Sequence, residues 1–134
     1  MSTKTLEFHF DFGSPTTYLA YTQVPRIAQE TGAALAWHPV LLGGVFKAAG
    51  NASPITVPAK GRWMNDDMAR WAQRWGVPLV MALVADPAVK ADLIARTEAS
   101  VARGAFGAPT FFVGPQMFFG QDRLDFVREA LAAA

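Results

Sequence analysis

No cysteine occurs anywhere in the 134-residue sequence. Disulfides, thiolate metal sites, cysteine nucleophiles and dithiol redox chemistry are excluded together. Histidine is nearly as scarce: His9 and His38 are the two present, neither in a metal-ligand spacing such as HxxxH, so no metal site is expected. An excess of one charge is also missing. Twelve Lys and Arg against eleven Asp and Glu leave a net +1, and no basic block forms a stripe. A nucleic-acid or membrane-surface role therefore lacks electrostatic support. No apolar run reaches bilayer length. The N-terminus, "MSTKTLEFHFDFGSP", has neither a long apolar core nor a small-residue cleavage site, so no secretory signal is read and a cytoplasmic protein is expected.

What is present is a core. Apolar residues make up 51% and charged residues 17%, which excludes intrinsic disorder and suits one domain over residues 1–134. Residues 6–12 alternate: Leu6, Phe8, Phe10 and Phe12 on one face, Glu7, His9 and Asp11 on the other, a strand in which His9 is an ordinary residue of the less apolar face. Gly13 ends it. Ser14-Pro15 starts a helix, since Ser caps and Pro is tolerated at the first position. That helix is expected to run to about residue 30, kinked at Pro25, and to stop at Gly32. A second strand follows at residues 33–38, closed by Pro39. Strand, helix, strand at this spacing reads as a βαβ unit with parallel strands.

Residues 41–60 are rich in Gly, Pro, Asn and Ser and read as a short helical turn and a loop. Met64, Met68, Trp71 and Trp75 then form one apolar helix stripe ending at Gly76, suited to core or subunit interface. The apolar "PLVMALVADP" leads to Asp86-Pro87, a cap and first-turn pair, and to a helix with Val89, Leu93, Ile94, Thr97 and Val101 on one side, ending near Gly104. Residues 110–113 and 117–119 flank Gly114-Pro115 as a hairpin, and a terminal helix buries Leu124, Phe126, Val127 and Leu131. A βαβ half joined to a ββα half is the thioredoxin-like α/β arrangement, with the helical part between His38 and Thr110 inserted into it.

Three places invite chemistry, and each has a plain structural reading. Ser14 is a helix cap by periodicity, worth about 1 kcal/mol. The same geometry presents unpaired N–H groups and a hydroxyl that can donate to a thiolate. No histidine is placed by sequence to make Ser14 a triad nucleophile. In "GAPTFF", Pro109 opens a strand, either as an ordinary first residue or as a cis-proline that exposes the backbone of Ala108 to an extended peptide-like ligand. In "GQDR", Gln121 and Asp122 open the last helix, as a simple helix start or as a holder of an amino-acid end: N–H groups for a carboxylate, Asp122 for an ammonium. A thiol, a peptide backbone and an amino-acid end together outline glutathione.

"FDFGSPTTYLAY", "LLGGVFKAAGN", "VPAKGRWM" and "ARGAFGAPTFFVGPQMFFGQDRLDFV" closely resemble 2-hydroxychromene-2-carboxylate isomerases, relatives of kappa-class glutathione transferases and DsbA-type oxidoreductases. The resemblance covers nearly the whole chain except around residues 79–85. It implies that Ser14 stands where redox relatives place their first cysteine and hydrogen-bonds the glutathione thiolate. It implies that Asn51 and Lys60 help bind glutathione, that Ala108 beside cis-Pro109 binds its backbone, and that Gln121 and Asp122 hold its γ-glutamyl end. Lys47 matches the organic-substrate side, where a cation suits a carboxylate; for Lys47 and Lys60 the alternative is a solvated surface lysine.

The implied reaction, a step of aromatic catabolism, is reversible thiol addition to the chromene, with ring opening, bond rotation and expulsion of the thiolate to give trans-o-hydroxybenzylidenepyruvate. Glutathione is regenerated and acts as a cofactor, and Ser14 with the helix field activates its thiolate. The sequence departs from the family between "RWGVP" and "DPAVK", where seven residues replace a much longer helical insertion. Residues 41–104 are thus expected to be a shortened insertion. A kappa-like glutathione transferase and a catalytically silent glutathione- or peptide-binding module are the alternatives. A homodimer stays open, because an altered insertion alters the interface.

Overall fold

The structure, a computed structural model, describes residues 4–78 and 90–134. Four strands form one sheet: β1 (Thr5–Phe10), β2 (Ala34–Pro39), β3 (Thr110–Val113) and β4 (Gln116–Phe119). Their order is β2-β1-β3-β4, with β1 parallel to β2 and antiparallel to β3, and β3 antiparallel to β4. The thioredoxin-like α/β class follows from this order together with the helices α1 (Pro15–Tyr21), α2 (Val24–Thr31), α3 (Leu42–Ala49), α4 (Pro58–Trp75), α5 (Lys90–Ala102) and α6 (Leu124–Ala133).

Local chemistry places several ends differently from the sequence reading. Residues expected as one kinked helix are two, because Pro25 has no N–H and its ring would meet the Tyr21 carbonyl; it sits instead in the first turn of α2. Gly32 ends α2 in the left-handed region, at φ 66°, as expected. The strand expected over residues 6–12 stops at Phe10. There the Asp11 carboxylate accepts the N–H groups of Gly13 and Leu42, both at 2.8 Å, and turns the chain. The turn expected near residue 41 is the eight-residue α3. In α6, Leu124, Val127 and Leu131 are buried, but Phe126 is 52% exposed. Two positions after Leu124 lies the opposite side of a helix. In α5 the covered face carries Thr97 and Ser100, while Ile94 is exposed. The apolar "LVMALV", the Asp86-Pro87 cap, Val89 and the side chain of Leu93 lie outside the described residues.

The sheet has two unlike faces. On one, Leu6, Phe8, Phe111 and Val113 meet Ala20, Val24, Ile27, Leu124, Val127 and Leu131 in the main core. Phe8 stacks on Phe111 at 5.3 Å and meets Trp37 edge-on at 5.6 Å. A satellite cluster of Leu19, Met68 and Ala72 attaches α4 to α1, so the Met/Trp stripe packs inside this chain. The other face is polar. His9, expected as an ordinary residue of the less apolar face, is 4% exposed because α5 covers it. Its Nδ1 bonds Ser100 Oγ, its ring stacks on His38 at 4.6 Å, and Glu7 beside it pairs with Arg103. Arg103 lies 3.7 Å over the Phe112 ring.

Burial, then the neighbouring His38, hold His9 at about 4 against its ordinary 6.5. Burial also lowers His38. Burial pushes Glu7 up, but hydrogen bonding and charge from Arg103 outweigh it and lower that carboxyl. For both histidines the unfolded chain takes up protons at higher pH than the folded one. Their contribution is complete above about 6.5 and declines as pH falls, for His9 toward about 4. Glu7 adds a loss of the same sign at still lower pH. Denaturant titrations in EDTA-containing buffer are expected to show stability decreasing steadily over that window, with Arg96 of α5 and Arg103 just after it as the neighbouring fixed charges. Leu131→Ala is expected to cost about 2–5 kcal/mol by the same measurement. Phe126→Ala, on the exposed side of the same helix, is expected to cost under about 1 kcal/mol.

Candidate active site

Ser14 caps α1 and is 7% exposed. Its N–H bonds the Asp11 carbonyl at 2.9 Å, so the turn that ends β1 also positions it. Its hydroxyl accepts from the Thr17 N–H at 3.4 Å, lies 2.8 Å from Thr16 Oγ1, and donates to the Ala108 carbonyl at 3.3 Å. Thr16 Oγ1 reaches the same carbonyl at 3.5 Å. Two hydroxyls therefore converge on one backbone oxygen. The Ala108-Pro109 peptide bond is cis.

The next link runs from Pro109 to the last helix. The Pro109 carbonyl accepts the Gly120 N–H at 3.0 Å. Gly120 has φ 101°, and a Cβ there would lie 2.6 Å from Asp122 Oδ1, so glycine is required for the turn. Gln121 and Asp122 form a 3-10 turn, Gln121–Arg123, ahead of α6 rather than its first turn. Gln121 is buried, and Asp122 is half-exposed, 3.4 Å from Arg123 Nη1. Both line a cleft of about 100 Å³ with Gln23, just before α2, Arg26 of α2 and Arg74 of α4.

Ser14, Ala108, Pro109, Gln121 and Asp122 thus come to one end of the sheet, linked by the Ser14 hydroxyl on Ala108 and the Gly120–Pro109 backbone bond. Asn51 joins from the side: its Nδ2 donates to the Phe106 carbonyl at 3.1 Å, two residues before Ala108. Lys60 lies elsewhere, in an apolar groove with Pro54, Ala59, Trp63 and Met64. Lys47 is exposed in the last turn of α3, and the contacts among the described residues do not draw it to Ser14. Two readings change. Ala108 was expected to expose both backbone groups, but its carbonyl is engaged by Ser14 and Thr16. The helix behind Ser14 has seven residues, so its field is small and the hydroxyl proton matters more. Thr16 was missed in the sequence; the Ser-Pro-Thr spacing around a cap is its one signal.

The DSBA-like thioredoxin domain family matches residues 5–84 and again 80–132. The 2-hydroxychromene-2-carboxylate isomerase of Sphingobium xenophagum is 31% identical over 193 aligned positions, covering 96% of this chain and 98% of that protein. Glutathione S-transferase kappa 1 of Caenorhabditis elegans is 35% identical over 55% of this chain and 33% of its own length. A solved 2-hydroxychromene-2-carboxylate isomerase superposes with a TM-score of 0.86 over 96% of this chain and 95% of that one; at 23% identity it speaks for the fold alone. The chain belongs to the DSBA-like thioredoxin domain family and, within it, to the 2-hydroxychromene-2-carboxylate isomerase family. Its relatives are isomerases and glutathione transferases, so the family is one of enzymes. The 193 aligned positions outnumber the chain's 134 residues, so part of the Sphingobium protein has no counterpart here. Among the described residues, no helix is long and apolar enough to cross a membrane.

Behind Ser14, Thr17 is fully buried and its Oγ1 has no hydrogen-bond partner. Thr17→Val keeps the shape and removes the orphan hydroxyl. Its melting temperature is expected to equal or exceed that of the parent; a clear drop would mean that the hydroxyl is bonded.

Proposed function

We propose that the chain is a glutathione-dependent isomerase interconverting 2-hydroxychromene-2-carboxylate and trans-o-hydroxybenzylidenepyruvate. The observation that carries this reading is the Ser14 hydroxyl, buried and 3.3 Å from the Ala108 carbonyl beside cis-Pro109. The residues present fit the cofactor: a hydroxyl for its sulfur, a strand-opening backbone for its peptide, and Asp122 across a glycine turn for its ammonium. Bound glutathione supplies a thiolate that adds reversibly to the conjugated substrate and leaves after a bond has turned.

Ser14 has one proton to give. Without a ligand it goes to Ala108. A thiolate alongside would draw that hydrogen bond to itself, which would free the Ala108 carbonyl to accept an N–H from the ligand backbone. Thr16, 2.8 Å away, can then donate to Ser14 Oγ and strengthen it as a donor. Gln121 and Asp122 hold the γ-glutamyl end at the far side of the cis-proline turn, and Asn51 steadies the loop before Ala108. Lys60, set on an apolar groove, suits the carboxylate of an aromatic substrate as well as it suits glutathione. Lys47 would serve the substrate only from the exposed end of α3.

A second reading rests on the kappa-class relatives, which match more than half of this chain. In that case the same Ser14–thiolate contact serves conjugation, and the product retains glutathione. The unmatched part of the Sphingobium relative also supports a silent binding module, if the absent residues complete the substrate pocket.

The test measures glutathione binding, chromene isomerisation and product identity on one sample. Ser14→Ala is expected to retain its fold and lose about 10²-fold in kcat/KM, with less bound thiolate seen in the ultraviolet. Full activity in that variant would refute the role of Ser14. Asp122→Ala is expected to weaken glutathione binding more than it slows turnover at saturation. Binding without turnover selects the silent module, a stable adduct selects conjugation, and absence of glutathione binding sinks both the isomerase and the conjugation readings.

A further inference from the structure

A second cluster lies on the polar face of the sheet, away from Ser14, and the reaction above does not use it. Glu7 and His9 come from β1 and His38 from β2; the parallel register puts His9 beside His38. One carboxylate oxygen and one nitrogen from each ring lie within 4.8 Å of one another. Glu7 Oε2 is 3.6 Å from His9 Nε2 and 3.7 Å from His38 Nε2. Neither separation is a hydrogen bond.

His9 Nε2 is the telling atom. It is buried and has no hydrogen-bond partner. The other ring nitrogen bonds Ser100 Oγ, and Ser100 gives its proton to the Arg96 carbonyl at 2.8 Å. With that proton on the Arg96 carbonyl, Ser100 accepts from the Nδ1–H tautomer of His9, the tautomer whose Nε2 has a lone pair facing the carboxylate. Arg103 balances the Glu7 charge but no donor reaches His9 Nε2, so a cation between ring and carboxylate would satisfy that nitrogen. A hydroxyl that fixes the tautomer through the far nitrogen is the outer-shell arrangement of metal-binding histidines.

We propose that Glu7, His9 and His38 form a binding site for one divalent transition-metal ion of the zinc type. Two imidazoles and one carboxylate select zinc, copper or nickel over magnesium or calcium. Tetrahedral zinc with bonds near 2.0–2.1 Å sets its ligand atoms about 3.3 Å apart. The two carboxylate–nitrogen separations, 3.6 and 3.7 Å, lie close to that value, and the stacked imidazoles must turn toward each other to bring their nitrogens to it. Glu7 and His38 are partly open to solvent, giving the ion an entry and a water its fourth position. Arg103 already holds Glu7 through both guanidinium nitrogens, so the ion shares or displaces one of these bonds. The site spans β1, β2 and, through Ser100, α5, with Arg103 just beyond that helix; the ion would fasten it to the sheet.

The chain has two histidines and no cysteine, which makes the test specific. Tag-free, chelator-treated protein is titrated with Zn2+ by calorimetry at neutral pH and with Cu2+ by electron paramagnetic resonance. One ion per chain is expected, with a Cu2+ spectrum showing two imidazole nitrogens and a raised melting temperature with Zn2+. His38→Ala and Glu7→Gln, at the partly exposed rim, keep the test interpretable if the buried His9 variants fail to fold. Each is expected to weaken Zn2+ binding on the order of tenfold or more. Absence of Zn2+ binding, a single-imidazole spectrum, or unchanged affinity in folded His38→Ala would overturn the proposal. Each of these readouts is independent of glutathione and turnover.

Discussion

The pairing of β1 between β2 and β3 is the constraint from which the rest of the molecule is arranged. Phe8 lies against Trp37 on one side and Phe111 on the other, and it is fully buried. Once that position is set, the period of two sends Leu6 and Phe8 into one core and Glu7 and His9 to the opposite face. It also fixes where β1 ends. Asp11 follows directly, accepts the Gly13 and Leu42 N–H groups, and delivers Ser14 to the end of the sheet opposite Ala108.

The two faces then do different work. The apolar face supplies stability, through α2 and α6 closing over four strands. The sheet end supplies the site, where Ser14, the cis-Pro109 turn and the Gly120 turn are joined by Pro109 accepting from Gly120. None of these contacts depends on a long side chain. They are backbone bonds, hydroxyls and one glycine turn, which places the candidate site on rigid elements.

The polar face shows how a sheet can build what spacing conceals. His9 and His38 are twenty-nine positions apart, and no local pattern pairs them. Parallel register makes them neighbours, and α5 encloses them with Ser100 and Arg103. Burial then turns an alternating strand position into a nitrogen without a partner.

Much of this was legible beforehand. Alternation in residues 6–12 marked β1, Ser14-Pro15 and Gly32 marked helix ends, the Met/Trp stripe marked α4, and "GAPTFF" marked the proline turn. These are local preferences, set by backbone conformers and side-chain periodicity. The sequence by itself therefore determined most of the elements, the α/β class and the choice of Ser14, Ala108, Pro109, Gln121 and Asp122 as candidates. Only the tertiary structure decided that Pro25 separates two helices, that Phe126 faces out, and that Thr16 shares the Ala108 carbonyl. The same holds for Lys60 lying on an apolar groove and for Glu7, His9 and His38 meeting. The reason is physical: periodicity says which residues share a face, but strand register and the helix packed above decide what that face meets.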